Sequence, residues 1–335
     1  MLQIKQIKIS QDKTRKALNL SDACKDFLHK CKYIYIAISF LLLSSPAFAV
    51  TYTVADGMVG EITHYTVKEE DTLYAIARRF DLGIVELMVA NPGLDPWVPP
   101  EGTELSLPTS YILPKVKRQG IVINLPELRV FYFKDKNTVM TFPVGIGREG
   151  WQTPLGETEI SLKRKNPYWI PPASIRELKP DLPKVVPAGP DNPLGRYAMN
   201  LGWQNYAIHG TNKPYGIGLR SSHGCLRMYP EDIEVLFNSV EKGTKVTVVD
   251  MPYKIGWLNN TLYLEVNPTQ EQADAIFFGE EAKTVISSEI YNAIEKIAGA
   301  DSHVDWPTVE EAMVRRNGMP TAIAIKAEQN TAIQN

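Results

Sequence analysis

The chain has 335 residues, with 36 basic and 38 acidic side chains, three cysteines and 44% hydrophobic residues. That balance is too apolar and too evenly charged for a disordered protein. The formal charge of −2 leaves no basic excess to hold a nucleic-acid backbone, so no nucleic-acid partner is expected. At roughly 150 residues per domain, the length fits two or three domains.

The charge is unevenly spread. Residues 1–32 carry eight Lys and Arg against three Asp, followed by an apolar run from Tyr33 to Leu43 and then Ser44-Ser45-Pro46-Ala47-Phe48-Ala49. A basic start, a short apolar core and an Ala-x-Ala end predict a secretory signal peptide over residues 1–49, cleaved after Ala49. The apolar run falls well short of the roughly 20 residues of a spanning helix, so no membrane span is expected after cleavage. Cleavage makes the remaining chain more acidic and discards Cys24 and Cys31, leaving Cys225 as its only thiol. A lone cysteine in an exported chain is buried and inert, paired with another chain, or kept for its reactivity.

A first module is expected over 62–109. His64-Tyr65-Thr66-Val67 alternates like a strand, and Asp71 or Thr72 suits a helix N-cap. Leu73, Ile76, Ala77 and Phe80 fall at helical spacing, as do Ile84, Leu87 and Met88. Asn91-Pro92-Gly93 stops the second helix, and Thr103 to Leu107 reads as a returning strand. Tyr65-x-Val67, Asp71-Thr72-Leu73, Ile76-Ala77, Leu87, Asn91 and Gly102-x-x-Leu105-x-Leu107-Pro108 together resemble a LysM domain. The sequence departs from that family at Glu70, where glycine is usual. The resemblance implies a βααβ fold that binds N-acetylglucosamine-containing glycan.

A Pro-containing linker, Leu113-Pro114-Lys115, leads to a strand-rich domain over 118–251 with one helix from Pro230 to Val240. Beyond it, 252–335 reads as an α-rich C-terminal subdomain of unknown role. Its expected elements are a strand at Leu262–Val266 and helices near Gln270–Phe278, Thr284–Ala298 and after Asp305-Trp306-Pro307, with a frayed last ten residues.

Two motifs mislead. Gly145-Ile146-Gly147-Arg148-Glu149-Gly150 matches the dinucleotide G-x-G-x-x-G, but Pro154 and Gly156 spoil the helix that motif must open. Ser-x-x-Lys occurs at Ser10/Lys13 and Ser239/Lys242, without the Lys-Thr-Gly that accompanies it in penicillin-binding enzymes.

The informative stretch is Ser222-His223-Gly224-Cys225-Leu226-Arg227, preceded by Ile208-His209-Gly210-Thr211. A thiol with a pKa of about 8.5 is a poor nucleophile near neutral pH unless an imidazolium or another positive charge stabilises its thiolate. Histidine can also return a proton to a leaving group. The alternatives are an inert structural thiol, or a zinc site using His209, His223 and Cys225, which lacks a nearby fourth Cys or His.

His209-Gly210-Thr211 with Ser222-His223-Gly224-Cys225-Leu226-Arg227 resembles the signature of the L,D-transpeptidase (YkuD) catalytic domain; Gly145-x-Gly147 and Thr153-Pro154-x-Gly156 match another part of that pattern. The resemblance implies a mainly β catalytic domain with Cys225 as nucleophile, His209 as base and acid, and no metal or cofactor. It places His223, Gly224, Gly210 and Ser222 at the substrate and oxyanion pocket, with Arg227 holding substrate or steadying the pocket. No acid is evident to orient His209, so a backbone carbonyl near Gly210 is expected to do so.

Family members attack the diaminopimelate carbonyl at position three of a tetrapeptide stem and release D-alanine. They hand the acyl group to another stem, to a lysine of a wall-anchored lipoprotein, or to water. The implied partners are peptidoglycan glycan and peptide stems, and a lipoprotein in the second case, in a periplasm. An NlpC/P60-type peptidase would place its cysteine before its histidine, unlike this chain. A wall-binding protein with an inert second domain is the other alternative, which thiol reactivity separates.

Overall fold

The computed structural model describes residues 50–54, 57–284 and 288–326. The expected signal peptide and frayed C-terminus therefore lie outside the described residues. The chain opens with β1 (Thr51–Thr53), β2 (Met58–Gly60) and β3 (Thr63–Thr66), then α1 (Leu73–Arg79), α2 (Ile84–Ala90), β4 (Glu104–Leu107) and β5 (Ser110–Ile112). β3 and β4 pair antiparallel, and Leu73, Ile76, Leu82, Ile84, Leu87, Leu105 and Leu107 bury completely among them. Each such side chain contributes roughly 1.5–3 kcal/mol by leaving water.

Thr72 is the cap of α1, its Oγ1 accepting from Ala75 N–H at 3.0 Å. Asp71 instead staples the module: it accepts from Tyr65 Oη at 2.7 Å, from Lys68 N–H at 3.0 Å and from Arg79 at 3.1 Å. Glu70 sits in the preceding turn without a positive φ, so glycine is not required there.

The second domain continues with β6 (Gly120–Asn124), β7 (Arg129–Asp135), β8 (Thr138–Pro143), β9 (Ile146–Gly147) and the long β10 (Gly156–Lys165). A six-residue helix α3 (Ala173–Leu178) precedes β11 (Tyr197–Leu201), β12 (Ala207–His209), β13 (Arg220–Ser222), β14 (Leu226–Arg227), α4 (Pro230–Ser239) and β15 (Lys245–Val249). Among the described residues the main sheet runs β1-β8-β7-β6-β15-β10-β11-β12-β14, with β6/β15 and β12/β14 parallel. Ile208, Met199, Tyr197 and Leu226 face α4 residues Ile233 and Leu236 in one core.

The glycine-rich run at 145–150 supplies β9 and a turn, and no helix follows it. Gly145 and Arg227 exchange two backbone hydrogen bonds of 2.8 Å, so this segment braces β14.

The first module is packed directly on the second domain. Arg129 on β7 is fully buried; it donates to Asp81 O at 2.6 Å, to Glu86 at 3.2 and 3.3 Å, and to Thr141 at 3.1 Å, with Tyr111 4.3 Å from its guanidinium carbon. Such a cation is tolerable in the interior only because its donors are met. Arg78 pairs with Glu231 at 2.6 Å, and Tyr229 Oη donates to Leu82 O at 3.2 Å. Gly218, at φ +75°, touches Gly83 so closely that any Cβ there would collide with Gly83 Cα and Ile84 N.

The third region continues with β16 (Tyr253–Leu258), β17 (Thr261–Val266), α5 (Gln270–Phe277), α6 (Ser288–Ala298), β18 (Ser302–Val304), α7 (Trp306–Arg315) and β19 (Thr321–Lys326). The three expected helices are present. The expected strand at 262–266 belongs to a four-stranded sheet, β16-β17-β19-β18, whose other strands the sequence did not disclose. Lys254 on β16 anchors this region, bonding Glu127 at 2.7 Å and Glu265 at 2.8 Å, with all three side chains at 2% exposure or less. Burial alone would lower Lys254, but the two carboxylates outweigh it and hold its pKa above the usual value.

Asp81 and Asp232 meet in the interface between the first module and α4, each with one buried oxygen lacking a donor partner. Burial raises both carboxyls; Arg129 pulls Asp81 back only in part, and the Asp81 charge raises Asp232 further. Two facing carboxyls with no other donor are satisfied when one carries a proton. The fold then binds that proton more tightly than the unfolded chain, so the contribution is full below the ordinary carboxylate range and is lost as pH rises. Asp232→Asn replaces the proton by a permanent N–H donor. It is expected to stabilise the chain by about 1 kcal/mol at pH 7.5 and by little at pH 4.5, read from denaturant midpoints. Equal effects at both pH values would contradict a shared proton.

Candidate active site

Successive strand residues point to opposite faces, and this alternation builds the site. On β11, β12 and β14 the residues Tyr197, Met199, Leu201, Ile208 and Leu226 fill the core. The intervening Ala198, Asn200, Ala207, His209 and Arg227 take the other face. The register fixes a row across the sheet, since Arg164 pairs with Ala198, Ala198 with His209, and His209 with Arg227.

This face forms the floor of a cavity of about 380 Å³. His209, Ser222, His223, Cys225 and Arg227 all line it, so the structure brings most of the sequence-selected cluster together. Trp151, Trp169, Ile170, Ile175 and Tyr206 add apolar walls, and Arg164, Asn200 and Asn205 add polar groups. No Asp or Glu lines the cavity.

His209 is 4% exposed and its Nδ1 lies 2.6 Å from Gly210 O. A carbonyl can only accept, so Nδ1 carries the proton and Nε2 keeps its lone pair. The carbonyl expected near Gly210 to orient the ring is thus Gly210's own. Gly210 contributes this acceptor and is not part of the cavity wall.

Cys225 is the free cysteine among the described residues and is partly buried. Its Sγ lies 3.6 Å from Asn205 O, and the Ala207 N–H points to it. Burial raises the thiol pKa, with the Ala207 N–H and Arg227 offsetting only part. Burial, and then the Arg227 charge, depresses His209 to about 4. The resting pair is therefore a thiol beside a neutral imidazole. Sequence reasoning asked for an imidazolium or another positive charge near the thiol; here Arg227 supplies the charge and His209 is neutral.

Ser222 Oγ donates to Cys225 O at 2.5 Å and accepts from Gly224 N–H at 3.1 Å, closing the turn that presents the thiol. The Gly224 N–H is thereby engaged within the turn. Its φ of +96° and the Tyr206 ring, which a Cβ would approach to 2.7 Å, both require glycine. Thr153 Oγ1 donates to Gly224 O at 3.0 Å and fixes the turn from below.

His223 stands at the rim. Trp151 meets it edge-on with centroids 4.8 Å apart, and Arg148 Nη2 is 3.3 Å from its Nε2. Burial and then Arg148 lower its pKa. A guanidinium aimed at His223 Nε2 does not suit a cation shared with that ring. Arg148, Trp151, Asn205 and Arg164 are site residues that local sequence patterning did not single out, because sheet pairing and loop closure bring them there.

A cysteine and two histidines thus share one cavity in a mainly β domain joined to a small βααβ module. A model of the YkuD family, the L,D-transpeptidase catalytic domain, matches residues 118–248, and a LysM domain model matches residues 65–108. Escherichia coli (strain K12) "Probable L,D-transpeptidase YbiS" is 40% identical over 291 residues, covering 83% of this chain and 94% of that protein. "Probable L,D-transpeptidase YcfS" of the same strain is 37% identical over 296 residues, covering 84% and 90%. The chain belongs to the L,D-transpeptidase family and is an L,D-transpeptidase with a LysM domain. Those two domains imply peptidoglycan binding and a wall-associated protein. Among the described residues, no helix is long and apolar enough to cross a membrane.

A neutral resting pair has a kinetic signature. In chain 50–335, whose sole thiol is Cys225, iodoacetamide alkylation is expected to be slow at pH 7 and to climb beyond the ordinary thiol range. A fast rate that is flat from pH 5 to 8 would reveal a preformed thiolate.

Proposed function

We propose that Cys225 and His209 carry out acyl transfer on a tetrapeptide stem of peptidoglycan. The observation that carries this reading is the His209 Nδ1 contact to Gly210 O, which leaves Nε2 as a base in the cavity that holds the Cys225 thiol. The thiol proton passes to Nε2 as sulfur attacks the carbonyl of the position-three diaminopimelate residue. A C–S bond forms, the C–N bond to D-alanine breaks, and Nε2 returns the proton to the departing amine.

An amine acceptor then gives its proton to Nε2, attacks the thioester and displaces the sulfur, which takes the proton back. The low basicity of His209 makes its protonated form a strong acid toward the leaving amine. Arg227, whose charge eases ionisation of Cys225, stabilises negative charge developing at the sulfur. The charge of the cavity suits an anionic stem, since arginines and no carboxylates line it.

The acceptor is a second stem, giving a 3→3 cross-link, a lysine of a wall-anchored lipoprotein, or water. The LysM module, fixed on the catalytic domain through Arg129 and Gly218, holds the glycan strand at a set position relative to the cavity. The leader over residues 1–49 supports export, and the periplasm is what the likeness to the family implies.

Incubating chain 50–335 with disaccharide-tetrapeptide is expected to yield, by mass spectrometry, a dimer lacking one D-alanine. Loss of D-alanine without a dimer would point to water or a protein acceptor. Cys225→Ala should abolish both products, and His209→Ala should slow them by at least 100-fold. Turnover retained by Cys225→Ala would refute the nucleophile assignment.

A further inference from the structure

Arg164 lies outside the sequence motif that marks the site, on a strand that enters the cavity from the opposite side. Its position depends on a β-bulge. On β10, Ile160 pairs with Leu201 and Leu162 pairs with Asn200, so two residues on one strand advance the register by only one on the other. Ile160 faces the core with Leu201. Without the bulge, Leu162 and Arg164 would share that face. With it, Arg164 joins Ala198 and His209 on the cavity face. Ser161 Oγ pins the bulge by donating to Leu201 O at 2.8 Å and lying 3.1 Å from Asn200 O.

The Arg164 guanidinium is held by neutral acceptors. Nε donates to Asn200 Oδ1 at 3.1 Å and Nη1 reaches Tyr168 O at 3.5 Å. None of the ion pairs among the described residues includes Arg164, and no acid lines the cavity it enters. A fixed, half-buried guanidinium with spare donors and no counter-ion is a carboxylate receptor.

The row across the sheet tells which carboxylate. Its order is Arg164, Ala198, His209, Arg227, with Cys225 two residues before Arg227. His209 therefore lies between the thiol end and Arg164, at roughly 10 Å Cα to Cα from the arginine by strand spacing. Ala198, between them, adds only a methyl group. In the acyl transfer proposed above, His209 protonates the departing amine, so the leaving amino acid sits on the His209 side, toward Arg164. Its α-carboxylate is two bonds from that nitrogen.

We infer that Arg164 binds the terminal carboxylate of the leaving D-alanine and so restricts the acyl donor to stems whose position-four residue is the free C-terminus. A stem extended or capped at that carboxylate leaves Arg164 without its anion and places a blocking group against the β10 wall. This assignment rests on the transpeptidase reading and adds a specificity residue to it.

The test compares two donors with chain 50–335: disaccharide-tetrapeptide ending in D-alanine, and the same compound ending in D-alaninamide. The wild type should prefer the free acid by roughly 10- to 100-fold in kcat/KM, mainly through KM. Arg164→Gln should lose that factor on the acid and change the amide rate far less, so the preference collapses; Arg164→Lys should restore part of it. Equal loss on both donors, or a preference that survives Arg164→Gln, would overturn the assignment. A wild type that uses both donors alike would overturn it as well, while the transpeptidase reading stands. A wild type inert to both would instead strike the transpeptidase reading, and the assignment with it.

Discussion

The two-residue period of the β-strand is the constraint from which the site follows. Strands β11, β12 and β14 must bury Met199, Ile208 and Leu226 against α4, and that fixes which residues look the other way. His209 and Arg227 reach the cavity because Ile208 and Leu226 are committed to the core. A register slip of one residue would place the imidazole in the core and an isoleucine at the reaction centre. The parallel pairing of β12 with β14 then holds His209 level with Arg227, and the Ser222–Cys225 turn delivers the thiol beside them. Chemistry and stability are thus set by the same alternation.

Burial gives this site its electrostatic character. Both ionised partners of a thiolate–imidazolium pair would be desolvated here, and the nearby arginines penalise the imidazolium further. The ground state is neutral, and in the proposed reaction charge appears only as sulfur meets the carbonyl. Such a site spends little energy holding a reactive thiolate. The same rule governs the scaffold. Arg129 and Lys254 are buried cations, each placed where two domains meet and each satisfied by acceptors from both sides. Removing a partner from either would leave an unpaired charge in the interior, at a cost of several kcal/mol. LysM, catalytic domain and C-terminal region are accordingly locked to one another through charge as well as through apolar contact.

Much of this was legible in the sequence because it is local. The LysM elements follow from helical spacing at Leu73–Phe80 and Ile84–Met88 and from the caps around them. The cysteine cluster, its histidine and the short helix at 230–239 are all written in contiguous stretches. Even the carbonyl that orients His209 belongs to the next residue. Non-local pairing was not legible. β1 joins the far edge of the catalytic sheet by pairing with β8, across the whole LysM module. Arg164 reaches the cavity only through a bulge and two strand pairings. The C-terminal sheet hid because Lys254 interrupts the apolar pattern of β16, its charge being matched by Glu127 about 130 positions earlier. The protonation state was not legible for the same reason: spacing reveals neighbours, whereas burial is a property of the assembled fold.

The central claim is that an imidazole already neutral in the resting enzyme serves as the base for a neutral thiol. NMR titration of His209 in chain 50–335, with the resonance assigned by His209→Gln, tests it most directly. The account predicts a pKa of about 4 and an Nδ1–H, Nε2-unprotonated tautomer at neutral pH. A His209 that titrates at or above the ordinary histidine value near 6.5, in step with Cys225, would show a thiolate–imidazolium pair and contradict the account.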